Sequence, residues 1–101
     1  MAKKPVTAII LGAGHRAMSY AEYSKEHPDE LQIVGVAEPD EYRRNHVREL
    51  FGFPESNCFF DAFSLAEAPK FADVVINGTM DEIHVETSIP LLEKGYDMLL
   101  E

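Results

Sequence analysis

The stretch GAGHRA, residues 12–17, combines two glycines and a small alanine at a spacing that suits phosphate binding. Gly12, Gly14 and Ala17 fit the pattern G-x-G-x-x-G/A. In that pattern the first glycine permits a tight turn, the second lets a pyrophosphate approach bare backbone, and the third small residue lets a helix pack closely on a strand. We therefore expect a diphosphate to face the backbone N–H groups of residues 14–17, with help from the helix dipole.

A carboxylate follows this loop at the distance that a dinucleotide-binding unit requires. Glu38 closes the apolar run LQIVGVAE (31–38), about 20 residues beyond the loop. A carboxylate there accepts hydrogen bonds from both ribose hydroxyls and repels a 2′-phosphate, so NAD is favoured over NADP. Arg43 and Arg44 weaken that preference, because a nearby arginine can accept a 2′-phosphate. The alternatives are a solvated strand end for Glu38 and the exposed face of a helix for the two arginines.

These residues need a scaffold that brings strand ends together, and the hydrophobic pattern predicts one. Continuous apolar runs are typical of strands that are covered on both faces, and we predict them at 6–11, 31–38, 72–79 and 96–101, with a short strand around Cys58–Phe60. Between them we predict helices at 15–27, 40–52 and 81–95, and one or two helical turns within 53–70. This alternation predicts an α/β fold: a Rossmann-like, doubly wound parallel sheet in three α/β/α layers.

Two of these helices carry more detailed expectations. In the second, Asp40 is the expected N-cap and Gly52 lies just past the end. In the last, we expect Ile83, Ile89 and Leu92 to face the core, and Pro90 to kink the helix or cost a backbone hydrogen bond.

Composition excludes several classes of partner. Nine Lys and Arg against 18 Asp and Glu give a formal charge of −9, which argues against nucleic acid or an anionic membrane surface. An anionic cofactor remains compatible, because backbone N–H groups can hold phosphate. The single cysteine, Cys58, cannot form an internal disulfide, and we interpret it as a buried small hydrophobe. No run approaches the length of a membrane span, so the expected location is the cytoplasm.

Four motifs, in order, resemble one known family: AIILGAGHRA, VAEPD, VVINGT followed by DEIHVE, and KGYDMLLE. They are similar to the N-terminal nucleotide-binding domain of the Gfo/Idh/MocA family, named for glucose–fructose oxidoreductase, inositol dehydrogenase and rhizopine catabolism. The resemblance covers essentially the whole sequence but only about the first third of a typical member. It implies that residues 1–101 are an NAD(P)-binding Rossmann domain from a longer oxidoreductase, with the C-terminal catalytic domain absent.

The resemblance also implies roles for individual residues. The residues implied to contact the cofactor are Gly12, Ala13, Gly14, His15, Arg16 and Ala17 at the pyrophosphate, Glu38 at the adenosine ribose, Asn77, Gly78 and Thr79 beneath the nicotinamide-side ribose, and His84 and Glu101. Arg16 could instead lie in solvent, and His84 could be satisfied by packing at the helix end. Met80 and Asp81 stand where the family often has Pro-Asn, which puts side-chain contacts there in doubt.

The family's reaction is hydride transfer between NAD(P) and a hydroxyl-bearing carbon of a sugar or cyclitol. Its Glu-Lys-Pro lysine would follow Glu101, and its substrate pocket belongs to a second domain. We therefore assign no catalytic residue and no metal ligand here, and expect this chain alone to be inactive. The expected partners are a dinucleotide, a sugar or polyol substrate in the full-length protein only, and a second copy of the chain through an exposed sheet edge.

Three other functions stay open at this point. An NAD-dependent glycosidase of the same family stays open, because no residue present here separates it from a dehydrogenase. A non-catalytic nucleotide-sensing module would differ only in regions beyond Glu101. An S-adenosylmethionine methyltransferase also has a glycine-rich first turn, but it has no need of the second glycine or of Ala17.

Overall fold

The computed structural model describes residues 5–12, 15–79 and 84–100. Within these ranges the strands are β1 Val6–Leu11, β2 Leu31–Ala37, β3 Cys58–Phe59, β4 Val74–Asn77 and β5 Asp97–Leu100. The helices are α1 His15–Glu26, α2 Glu41–Phe51, α3 Ala62–Glu67 and α4 His84–Lys94, with one 3₁₀ turn at Glu55–Asn57. None of these helices is long and apolar enough to cross a bilayer.

The strands form one parallel sheet in the order β3-β2-β1-β4-β5. The chain first builds outwards from β1 to β3, then crosses back beyond β1 to add β4 and β5. Strand order therefore reverses between β1 and β4, and in an open α/β sheet this switch point opens a crevice at the carboxyl ends of the strands. The expected Rossmann-like, doubly wound fold is confirmed.

Strand register brings the carboxyl ends into one row. Leu11 pairs with Ala37 on one side and with Asn77 on the other, and Ala37 pairs with Phe59. The residues that follow each strand therefore leave the sheet side by side. The pairing of β1 with β2 also contains an irregularity, since Ala8 pairs with Ile33 while Ile9 pairs with Gly35. One extra residue of β2 is accommodated there.

The sheet separates two apolar clusters, as alternation along each strand requires. Ala8 and Ile10 of β1 pack with Val47 of α2 on one face, where α1 also contributes side chains. Ile9 and Leu11 point to the other face, where the cluster includes Leu91 of α4 and residues of α3. Each pair of helices thus covers one face, which gives the three layers.

Helix ends in the middle of the chain are fixed by local hydrogen bonds. Asp40 caps α2 by accepting a hydrogen bond from the Arg43 backbone N–H, and Gly52 ends the helix in the left-handed conformation at φ 70°, as predicted. Asp61 caps α3 in a capping box with Ser64. The short strand and helical turns expected within 53–70 are therefore present.

The inward face of α4 differs from the prediction. Ile89 and Leu92 are exposed, at 49% and 52%, whereas Ser88 and Leu91 are buried. The physical reason is a fully buried Asn77 amide, which donates hydrogen bonds to Thr87 and Ser88 and so turns this polar edge of the helix inwards. Ile83 lies outside the described residues. The helix continues through Pro90, although proline has no backbone N–H to donate.

Cys58 is half-buried and packs against the cluster that includes Val47. Burial is the main cause that raises the pKa of its thiol. This environment agrees with the interpretation of Cys58 as a small hydrophobe.

Candidate functional site

A cleft of about 340 Å³ opens at the carboxyl edge of the sheet, across the switch point between β1 and β4. Its walls include backbone at Gly12 and Gly78 and the side chains of Glu38, Arg43 and Asp61. Arg43 lies in the first turn of α2, and the other four residues follow the ends of β1, β4, β2 and β3, which the strand register has aligned in one row. The cleft is thus a direct product of the topology.

The turn after β1 lies directly against the turn after β4. Gly12 has a positive φ of 76°, and a Cβ added to it would lie 3.1 Å from the backbone nitrogen of Thr79 and 3.2 Å from the carbonyl carbon of Gly78. The backbone N–H of Gly12 donates to the Ala37 carbonyl at 2.9 Å, and that of Gly78 donates to the Leu11 carbonyl at 2.7 Å. Glycine is therefore required at position 12 both by conformation and by space.

The rest of the glycine loop is only partly described. Ala13 and Gly14 lie outside the described residues. His15, Arg16 and Ala17 form the first turn of α1, and nothing is stated of their side chains. The helix nevertheless begins three residues after Gly12, so the backbone N–H groups of its first turn, which have no acceptor within the helix itself, lie close after the glycine.

Glu38 is buried at the edge of the cleft, with 7% of its surface exposed. Its Oε2 accepts a hydrogen bond from the Asp40 backbone N–H at 2.9 Å, and its own backbone N–H donates to the Phe59 carbonyl at 2.9 Å. The alternative of a solvated strand end is therefore wrong. A buried carboxylate is costly unless it is satisfied, and the Asp40 N–H supplies part of that satisfaction on the wall of the cleft.

Arg43 and Arg44 are neighbours in sequence, but they have different environments. Arg43 lines the cleft. Arg44 is half-buried, and its guanidinium donates to the backbone carbonyl of Glu38 at 2.8 Å and to that of Pro39 at 3.4 Å. Arg44 therefore holds the main chain around the acid, while Arg43 is the one positioned to meet a bound molecule.

Asn77 fixes the floor of the cleft from beneath. Its Oδ1 accepts hydrogen bonds from the Thr79 backbone N–H at 3.1 Å and from the Thr79 hydroxyl at 2.5 Å. Its Nδ2 donates to the hydroxyls of Thr87 and Ser88, each at 3.0 Å. Gly78, Thr79 and Thr87 line the cleft, whereas Asn77 itself is fully buried. One amide thus ties the turn after β4 to α4.

Asp61 is a cleft residue that the sequence analysis did not single out. Its Oδ1 accepts hydrogen bonds from the Ser64 backbone N–H at 2.8 Å and from the Ser64 hydroxyl at 2.5 Å. These bonds, the hydroxyl first, hold the pKa of the Asp61 carboxyl below its usual value. The signal was present in the sequence as Asp-x-x-Ser directly after a short strand.

The last two predicted contacts remain predictions. His84 is the first residue of α4, and nothing is stated of its side chain, while Glu101 lies outside the described residues. Thr87, three residues beyond His84, lines the cleft and was not predicted. Over the described ranges, no three His, Cys, Asp or Glu side chains cluster as a metal site would require.

This donor set suits an elongated polar ligand. The start of α1 can receive an anionic group, because the backbone N–H groups of a first helical turn carry partial positive charge, and the absence of side chains at Gly12 and Gly78 leaves room for it. The Glu38 carboxylate can accept hydrogen bonds from neighbouring hydroxyls. A dinucleotide carries both features, since it has a pyrophosphate and a ribose diol.

Comparison with known proteins agrees with this chemistry. Residues 6–101 match a family model, GFO_IDH_MocA, described as an oxidoreductase family with an NAD-binding Rossmann fold. No curated protein matches the sequence.

Solved structures share the fold. The WlbA dehydrogenase from Chromobacterium violaceum, in complex with NADH and UDP-GlcNAcA, has a TM-score of 0.85 at 19% identity, over 99% of this chain and 28% of that one. Biliverdin reductase from Synechocystis, in complex with biliverdin and NADP+, has a TM-score of 0.76 at 23% identity, over 95% and 29%. The aldose–aldose oxidoreductase from Caulobacter crescentus, complexed with glycerol, has a TM-score of 0.78 at 16% identity, over 95% and 29%. The chain thus spans less than a third of each.

Proposed function

Because this chain belongs to the Gfo/Idh/MocA oxidoreductase family, as its NAD-binding Rossmann domain, we propose that it holds the cofactor for hydride transfer to or from a hydroxyl-bearing carbon of a sugar or cyclitol. The observation that carries the proposal is the alignment of strand ends, which gathers Gly12, Glu38 and Gly78 around one cleft. The nicotinamide of a bound cofactor would accept or donate the hydride. The role of this chain is to bind and orient the cofactor.

Each predicted contact has a physical role in that proposal. The loop from Gly12 to Ala17 would hold the pyrophosphate through backbone N–H groups and the α1 dipole. Glu38 would accept hydrogen bonds from the adenosine ribose, held in place by the Asp40 N–H on its Oε2 and by Arg44 on its backbone carbonyl. Gly78 and Thr79 would lie beneath the nicotinamide-side ribose, with Asn77 fixing their turn. His84 and Glu101 remain proposed contacts.

We further propose that the cofactor is NAD rather than NADP. A 2′-phosphate would meet the buried Glu38 carboxylate, at a site where a ribose hydroxyl would form a hydrogen bond. Arg43 on the cleft wall partly offsets this repulsion. The similar structures do not decide between the cofactors, since one is complexed with NADH and another with NADP+.

The sugar or cyclitol class is supported by the family and by two printed names. One similar structure holds UDP-GlcNAcA and another is an aldose–aldose oxidoreductase, whereas the biliverdin reductase acts on an unrelated kind of molecule. This part of the proposal is tested on the longest polypeptide that carries the sequence, by following NADH formation from NAD+ with a panel of sugars and cyclitols. Glycosidic bond cleavage without net NADH formation would favour the glycosidase alternative.

Cofactor binding is tested directly by titrating the protein with NAD+, NADP+ and S-adenosylmethionine in a calorimeter. We expect saturable one-to-one binding of NAD+, weaker binding of NADP+ and none of S-adenosylmethionine. Glu38→Gln should weaken NAD+ binding about tenfold, because a hydrogen bond to a charged group contributes about 1.5 kcal/mol or more. Glu41→Gln, on the exposed face of α2, is the matched control. The proposal is refuted if the protein binds neither NAD+ nor NADP+.

Two further expectations accompany this function. We propose a cytoplasmic location, supported by the single cysteine, which cannot form an internal disulfide. We also propose self-association, supported by the exposed Leu99 on β5, at the outer end of the described strand order. Sedimentation velocity over a range of concentrations tests it, and an unchanged monomer would contradict it.

A further inference from the structure

We propose that Asp61 is a second acidic determinant of cofactor choice, which disfavours a dinucleotide with an extra phosphate on its adenosine ribose. The inference rests on the proposed function, and it concerns a residue that neither the glycine motif nor the Glu38 position predicts. Among the described residues, the charged side chains that line the cleft are Glu38, Arg43 and Asp61. The balance among these three charges decides which adenosine ribose the cleft accepts.

The sheet places Asp61 beside Glu38. β3 is the neighbour of β2, and the backbone N–H of Glu38 donates to the Phe59 carbonyl at 2.9 Å. Asp61 follows two residues later, so both carboxylates lie at the carboxyl ends of adjacent strands. A group bound in so small a cleft lies within about one Debye length, roughly 8 Å at physiological ionic strength, of both acids.

The Asp61 charge is fixed in position by its own helix cap. The Ser64 backbone N–H and hydroxyl both donate to Oδ1, at 2.8 and 2.5 Å. These bonds favour the ionised form, which keeps the carboxyl charged at neutral pH. The side chain is only partly buried, so its charge acts on a bound group without a large desolvation cost.

Fewer cationic side chains face the cleft than the pair Arg43 and Arg44 in the sequence suggests. Arg44 is engaged with the carbonyls of Glu38 and Pro39, which leaves Arg43 as the cation on the cleft wall among the described residues. Two carboxylates therefore face one guanidinium. The excess negative charge does not repel a neutral ribose hydroxyl. It does repel a phosphate monoester, which carries about −1.5 to −2 charges.

The test is Asp61→Asn in the 101-residue chain, with NAD+ and NADP+ titrated separately. Asparagine caps a helix about as well as aspartate, so the substitution removes the charge and keeps the cap. We expect NADP+ affinity to rise about three- to tenfold, as screened Coulomb repulsion over such distances predicts, with NAD+ affinity within twofold. The gain should shrink as salt is raised, because screening removes it.

Two further variants sharpen the experiment. Asp61→Ser also removes the charge while keeping a strong cap, so it serves if the asparagine variant folds poorly. Glu67→Gln removes one charge from the exposed end of the same helix, and it should leave the ratio of the two affinities unchanged.

The outcomes separate the inference from the function on which it rests. If the wild type binds neither dinucleotide, the proposed function fails and the inference fails with it. If NAD+ binds but the affinity ratio is the same in both Asp61 variants, only the inference is overturned. A loss of affinity for both cofactors alike would also overturn it, because Asp61 would then contact a part that they share.

Discussion

Replacing the buried amide beneath the cleft should show how strongly the site depends on its support. Asn77 has no exposed surface, and its amide forms hydrogen bonds with Thr79, Thr87 and Ser88. Asn77→Ala removes all of these bonds at once. The backbone would keep its strand conformation, because β4 pairs on both sides with β1 and β5.

The expected cost follows from the burial of the partners. A buried polar group that loses its partner costs about 1–3 kcal/mol, and Ser88, with 6% of its surface exposed, is in that position. Thr79 and Thr87 are half-buried, so water replaces part of what they lose. We therefore expect Asn77→Ala to lower the free energy of unfolding by about 2–4 kcal/mol, a large fraction of the ~5–15 kcal/mol typical of a domain.

Urea denaturation followed by far-UV circular dichroism measures this free energy. Asn45→Ala, on the exposed face of α2, is the matched control and should stay within about 0.5 kcal/mol of wild type. Ser88→Ala completes a double-mutant cycle with Asn77→Ala. We expect a coupling of about 1 kcal/mol, because the two side chains share a hydrogen bond.

A cost below about 1 kcal/mol for Asn77→Ala, together with an effect that adds to that of Ser88→Ala without coupling, would refute this prediction. That result would mean that the amide is not the tie between the turn after β4 and α4. If the free energy of unfolding falls by the expected amount while NAD+ affinity is unchanged, Asn77 stabilises the floor of the cleft without contributing to binding.

Three further changes test other parts of the structure. Gly12→Ala should destabilise the protein by about 2 kcal/mol or more, because its Cβ would crowd the Thr79 backbone nitrogen; Gly52→Ala, with a similar φ but open space, should cost only about 1 kcal/mol in the same urea assay. Arg44→Met should weaken NAD+ binding in calorimetry, because the main chain that carries the Glu38 carboxylate loses its hydrogen bonds from Arg44, and equal affinity would contradict this positioning role. Hydrogen bonds from the backbone and hydroxyl of Thr7 hold the pKa of Asp73 below its usual value, so their contribution is complete above the unfolded-state pKa and is lost as pH falls through the folded-state pKa. The urea concentration at the unfolding midpoint should therefore fall less between about pH 6 and pH 3 in Asp73→Asn than in wild type. An equal fall in the two proteins would refute this.

The parts of the site that sequence could predict are those set by strand ends. Gly12 and Glu38 each follow an apolar run, and parallel strands end at the same edge of a sheet, so their proximity follows from the pattern alone. The chain needed no further information to bring these two residues to one cleft.

The parts that sequence could not predict depend on how elements rotate. Hydrophobicity places Ile89 and Leu92 inside, but the buried Asn77 amide needs Thr87 and Ser88 as acceptors, and satisfying it determines which face of α4 turns inwards. In the same way, adjacent arginines on α2 differ in function only because the helix is rotated to direct one of them back to the main chain. The rotation of a helix depends on contacts between elements, and these contacts leave no periodic pattern in the sequence.

The extra residue in the pairing of β2 with β1 has a consequence for transplanting the proposed cofactor preference into another Rossmann protein. Ala8 pairs with Ile33 and Ile9 with Gly35, so Val34 is the extra residue of β2. Deleting Val34 would make the pairing regular and leave Ala37 beside Leu11, so Glu38 would keep its place at the carboxyl end of the strand. A graft therefore has to preserve the position of the acid relative to the Leu11–Ala37 pair, and it does not have to carry the irregularity.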